Sequence, residues 1–102
     1  MTIKEFAQLC GCNPQTLRYY DHVDLLKPAR VDPDSGYRSY EEEQVFTFTR
    51  IRNLQRAGLT IEEIKGLQDQ GDEAVCEALD AKIAEEERRI AEIRMIRKSY
   101  RT

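Results

Sequence analysis

The segment from Asp72 to Thr102 limits what this chain can fold into more than any other stretch. Within a heavily charged background, Val75, Leu79, Ile83, Ile90, Ile93, Ile96 and Tyr100 recur at steps of threes and fours, the period of one helix face. Asp72 is the predicted cap. About 30 helical residues extend roughly 45 Å at 1.5 Å per residue, too long to pack wholly against a head of about 70 residues. A narrow apolar stripe amid "EEERR" charge is the pattern of a two-stranded coiled coil. A lone solvated helix would leave the stripe in water, so a homodimer, antiparallel or parallel, is the physical solution. Those seven residues are the expected dimerisation contacts.

Ahead of this segment the punctuation is dense. "TIKEFAQLC" reads as a short helix opened by a Thr2/Glu5 capping box, with Ile3, Phe6 and Ala7 on one face, and Gly11 breaks it. Asn13 caps a second helix to about His22, with Pro14 at its first position and Leu17 and Tyr20 facing inward. Two short helices around a tight turn make a helix-turn-helix pattern. In "LLKPARVDPDSGYRSY", Pro28, Pro33 and Gly36 exclude a helix and predict a hairpin near Ala29–Val31 and Tyr37–Ser39. A two-stranded hairpin is marginal alone, so it leans on the helices as a wing. Val45, Phe48, Ile51 and Leu54 then mark a third helix from about Glu41 to Ala57, stopped by Gly58. Thr60 and Glu63 open a fourth, with Ile61, Ile64 and Leu67 inside and Gly71 as its end.

The bulk numbers exclude more than they name. No apolar run approaches the roughly 20 residues that span a bilayer, and no basic-then-apolar signal segment opens the chain, so the expected location is cytoplasmic. Three cysteines, two of them as Cys10-x-Cys12, suggest no disulfide framework. Without His nearby they lack the ligand count of a structural zinc site, and buried reduced thiols are expected. His22 is the only histidine, expected to face solvent at a helix end. No nucleophile–base pair or Gly-rich phosphate loop accompanies it, so no enzyme, cofactor or metal is expected. Net charge −3 argues mildly against nucleic acid. Yet residues 1–58 hold eight Lys/Arg against eight Asp/Glu, and residues 59–102 hold eight against eleven, so the excess acid sits in the second half. What matters for an anionic partner is where the arginines of the first half project.

Three stretches, "TLRYYDHVDLLKPAR", "DSGYRSY" and "GLTIEEI", come in this order over residues 1–71. Together they resemble the MerR family of bacterial transcription regulators, which places them as recognition helix, wing and second helix pair. The resemblance implies a mainly α fold. Residues 1–71 would form a winged helix-turn-helix of four helices with a small β-hairpin wing, and residues 72–102 a long antiparallel coiled-coil dimerisation helix.

A recognition helix reads base edges in the major groove, while Arg, Lys, Tyr and backbone N–H groups hold phosphates. Gln15, Thr16, Arg18 and Tyr19 lie on the first turns of the second helix, away from Leu17 and Tyr20. Gln and Arg can pair bidentately with adenine and guanine, and Tyr19 offers a hydroxyl that the resemblance assigns to a phosphate. By the same resemblance Tyr37 and Arg38 of the wing, Arg30 before its turn, and Arg52 in "RIRNL" hold the DNA backbone. The partners implied are a second copy of the chain, a palindromic promoter element in double-stranded DNA, and RNA polymerase indirectly through that DNA. The regulator would bend and untwist an over-long promoter spacer, a deformation that contributes to specificity.

Three departures from the family pattern bear on this. Asp24 stands where most members have Gly, and Asp tolerates a left-handed backbone. Phe46 and Arg50 exchange the polar and apolar character the family favours, as a rotated third helix would. Cys76, alone near the start of the terminal helix, lacks partners for a metal, so the effector stays unknown. The rival classes are a small architectural DNA-bending protein of excisionase type and a coiled-coil interaction module. The long helix and "GLTIEEI" favour the regulator.

Overall fold

The computed structural model of the chain describes residues 1–101; Thr102, included in the expected dimerisation segment, lies outside them. In chain order the elements are α1 (Ile3–Cys10), α2 (Pro14–His22), β1 (Arg30–Val31), β2 (Arg38–Ser39), α3 (Gln44–Arg56), α4 (Ile61–Leu67) and α5 (Asp72–Tyr100).

Local chemistry sets most boundaries. In α1 the Thr2 hydroxyl accepts from the Glu5 N–H at 3.1 Å while the Glu5 carboxylate accepts from the Thr2 N–H at 2.9 Å. Gly11 ends that helix at φ 72°, a left-handed backbone that only glycine adopts freely. The Asn13 side chain accepts from the Gln15 N–H at 2.9 Å and Pro14 starts α2. Asp24 takes the left-handed turn after α2 at φ 62°, as its tolerance for that region predicts. Thr60 and Glu63 repeat the capping box at α4.

β1 and β2 pair antiparallel, Arg30 with Ser39 and Val31 with Arg38. Within the turn the Asp32 carboxylate accepts from the Asp34 N–H at 2.8 Å. The wing is anchored at its root by a bridge between Thr2 and Ser39 and by two 2.8 Å bonds joining Met1 and Tyr40. Tyr40 then stacks on Phe6, centroids 4.6 Å apart and planes 3° from parallel. One core joins the head: Phe6, Leu17, Tyr20, Tyr40, Ile51 and Ile64 are among its buried members.

Several boundaries and faces differ from the sequence reading. α4 stops at Leu67 rather than Gly71: Gln68 caps it with its N–H bonded to the Lys65 carbonyl, and its side chain donates to the Leu25 carbonyl. Asp72 is the first residue of α5 and not its cap; Gly71 holds the cap position with no side-chain bond. Asp72 instead adds negative charge where the helix dipole is positive. The third helix is not rotated: Phe48, Ile51 and Leu54 are buried and Phe46 is 75% exposed. Cys10 and Cys12 are half-buried, but Cys76 is exposed, against the expectation of three buried thiols.

A compact chain of this length has a radius of gyration of about 13 Å, whereas this one reaches 18.5 Å, with a longest dimension of 68 Å. The excess is α5. Val75, Ala78 and Leu79 pack half-buried against the head core, and beyond Lys82 the helix runs free of the head. No helix among the described residues is long and apolar enough to cross a membrane.

Candidate nucleic-acid interface

Leu17 and Tyr20 seal α2 to the head at 0% and 2% exposure. The opposite face of that helix is therefore fixed outward: Gln15, Arg18 and Tyr19 are exposed and Thr16 half-buried. Tyr20 is held further by its hydroxyl donating to Gln55 Oε1 at 2.6 Å. Burial pushes its pKa up, with nearby Arg52 pulling the other way. Arg52 lies over the Phe48 ring at 5.3 Å, a cation–π contact that orients the guanidinium while leaving its edge in solvent.

Asp21 ties α2 to the wing. Its Oδ2 accepts from Arg38 Nε at 2.9 Å and its Oδ1 pairs with Lys27 Nζ at 2.9 Å. Lys27 also pairs with Asp24 at 2.8 Å. Burial alone would raise the Asp21 carboxyl, but the hydrogen bonds from Lys27 and Arg38 outweigh it and hold the pKa below its usual 3.8. Arg38 thus uses its Nε on Asp21, while its two Nη groups, four further N–H donors, lie outside that bond. Asp21 was absent from the sequence-derived set. The signal was there: an acid in the last turn of a helix opposes the dipole, which points to a cationic partner elsewhere.

Beside this clamp the wing and the start of α1 form a groove of about 530 Å³ lined by Lys4, Arg30, Asp32, Tyr37 and Arg38. Lys4 is a second residue missed in the sequence. Tyr37 stands 79% exposed. The structure so brings Arg30, Tyr37 and Arg38 together, with Arg38 linked to α2, while Arg52 of α3 lies apart from that groove, over Phe48 and near Tyr20.

The seven stripe residues of α5 divide. Val75 and Leu79 are half-buried against the head of their own chain, so their apolar surface is partly used there. Ile83, Ile90, Ile93 and Ile96 remain 46–54% exposed and Tyr100 86%. An apolar depression of about 510 Å³ runs beside them, with Ala57, Leu79, Ile83 and Ile90 in its wall.

Burial, reinforced by the neighbouring Cys12, pushes the Cys10 thiol up to about 11, and burial raises Cys12 as well. Both are protonated and unreactive near neutral pH. Among the described residues no three His, Cys, Asp or Glu side chains gather as a metal site.

A model of the MerR HTH family regulatory protein matches residues 1–71. The chain belongs to the MerR family. The family's DNA-binding model also matches, over residues 47–100, taking in α3, α4 and α5. The multidrug-efflux transporter 1 regulator of Bacillus subtilis (strain 168) is 41% identical over 91 residues, covering 89% of this chain and 31% of its own length. The chain thus spans under a third of that curated relative. The N-terminus of MtaN, the Bacillus subtilis multidrug transporter activator, superposes with a TM-score of 0.77 at 25% identity, over 97% of this chain and 96% of that one. EcmrR, solved by cryo-EM as an EcmrR–DNA complex in EcmrR-RPo, gives a TM-score of 0.78 at 34% identity over 91% of this chain and 34% of its own.

Proposed function

We propose that this MerR-family chain is a non-enzymatic, cytoplasmic, sequence-specific regulator of transcription. It binds a palindromic promoter element as a homodimer and bends and untwists the duplex. The observation that carries the reading is the clamp through Asp21, which holds the wing arginine Arg38 against the helix that bears Gln15, Arg18 and Tyr19. Groups suited to base edges and groups suited to phosphates are thereby fixed on one surface. Gln15, Thr16 and Arg18 read bases, and Tyr19, Arg30, Tyr37, Arg38 and Arg52 hold the backbone. The likeness to EcmrR, solved on DNA, supports a DNA-binding role.

The second copy covers the open stripe of α5. Residues 69–80 carry Asp69, Asp72, Glu73, Glu77 and Asp80 and no Lys or Arg, whereas residues 88–101 carry six Lys/Arg against Glu92. An antiparallel pair sets the acidic end of each helix beside the basic end of its partner, and a parallel pair sets like beside like.

Gel filtration combined with a shift assay on the promoter DNA beside the chain's own gene tests this reading. A dimer whose DNA affinity falls steeply with salt is expected. Self-association without DNA binding at low salt would leave a coiled-coil interaction module in its place.

A further inference from the structure

The elbow joining α4 to α5, residues 68–71, decides how the head is carried on the helix. Gly71 gives α5 no side-chain cap, and backbone bonds from Gln70 to Leu67 and from Val75 to Gly71 only trace the turn. Two side chains tie the elbow to the head. Gln68 donates outward to the Leu25 carbonyl. Arg50, from the middle of α3, donates through Nη2 to the Leu67 carbonyl at 3.0 Å and to the Gln70 carbonyl at 3.3 Å. A helix leaves its last carbonyls unpaired, and a cation there also meets the negative end of the dipole. Arg50 therefore grips both the end of α4 and the turn that starts α5.

Further along, the end of the Lys82 side chain reaches back over Gly58, where an added Cβ would meet its Cε at 2.8 Å. A flexible lysine tip of this kind does not fix the direction of a rod. The packing of Val75, Ala78 and Leu79 is apolar and resists sliding or tilting less than directional bonds do.

We propose that Arg50 is a positioning residue that sets the angle between head and α5, and through it the half-site spacing the dimer accepts. The proposal rests on the DNA-binding reading above. The lever is long: α5 has 29 residues. A tilt of about 10° at the elbow moves the far end of a ~43 Å helix by about 7 Å, roughly two base-pair steps. An elbow released from Arg50 lets each head swing over that range, so the dimer tolerates spacings it otherwise rejects.

The test uses the full chain and a palindromic duplex recovered by selection from random DNA, resynthesised with half-sites moved apart or together in single base-pair steps. Wild type is expected to prefer one spacing. In Arg50→Leu the preference of the best over the adjacent spacing should shrink by about threefold or more while dimerisation is retained, since deformation cost varies with spacing and contacts do not. Arg50→Lys keeps the cation but loses the fork; it should fall between the two and carries the test if the Leu variant does not fold. An unchanged spacing profile, or an equal loss at every spacing, overturns the proposal, because a merely weakened fold lowers all spacings alike. A wild type that binds every spacing equally also overturns it. A wild type that binds none overturns the DNA-binding reading instead.

Discussion

Ile51 and Ile90 are the same residue type on two helices of one chain, yet Ile51 is 2% exposed and Ile90 46%. Around Ile51 the head closes on itself, with α1, α2, α3 and α4 each contributing to one core. Around Ile90 the same period of apolar residues finds no cover from its own chain. The difference teaches that helical periodicity reports which face is apolar and is silent on whose surface will cover it. The head closes over its own core with a share from the start of α5, whereas α5 past Lys82 leaves its apolar face open.

The most severe break in that contrast is the double change Ile83→Glu with Ile90→Glu. It should separate the dimer and abolish operator binding while leaving the melting of the head in place, as followed by sedimentation, shift assay and thermal scans. Surviving operator binding would remove α5 from the assembly. Next, Ile51→Ala should cost about 2–5 kcal/mol of head stability in urea unfolding, while Ile90→Ala in dilute, monomeric protein should stay within about 0.5 kcal/mol. Equal losses would mean that the two environments are not distinct.

Within the head, Arg18→Ala should weaken operator binding by roughly 1–3 kcal/mol and relax sequence preference. Arg38→Ala should weaken binding to all sequences alike and flatten the salt slope. A uniform loss for Arg18 would move it from base reading to phosphate holding. The Asp21 clamp has a pH signature. Its folded pKa lies below the usual 3.8, so the stability it lends is present above that value and is lost as pH falls through the lower, folded one. Thermal scans should show wild type losing more stability than Asp21→Asn as the pH drops from about 5 to 2; parallel curves would show the tie to be idle.

Smallest of all is Tyr40→Phe. The Tyr40 hydroxyl is buried with no hydrogen-bond partner in the structure, and its ring stack on Phe6 survives the change. Removing an unpaired buried hydroxyl should leave stability unchanged or raise it by up to about 1 kcal/mol. A clear loss would reveal a partner for that hydroxyl.

Much of the head is readable in its residues because the signals are local. The boxes at Thr2/Glu5 and Thr60/Glu63, Asn13–Pro14, Gly11 and the Asp24 turn each act within four residues, and each appears in the structure. What escaped is tertiary. Asp21 and Arg38 lie 17 positions apart, as do Arg50 and Leu67, and no period links them. Lys4 joins the groove only because the hairpin folds back on the start of α1. Gln68, at the end of α4, bonds a carbonyl 43 positions away. For Val75 and Leu79 the spacing identified the apolar face and could not say that the head would take a share of it.

The charges of α5 have a kinetic consequence. Asp72 and Glu73 occupy its first turn and Arg97 and Lys98 its last, each sign opposite the partial charge of the helix end it occupies. At 29 residues the helix also exceeds the roughly 12–15 below which isolated helices are marginal. In the proposed homodimer, length and end charges both favour α5 being largely helical before the chains meet, which reduces the coupled folding that slows an encounter. Mixing experiments should show second-order association with little gain in helical signal, so the lifetime of the pair is set by how fast it parts.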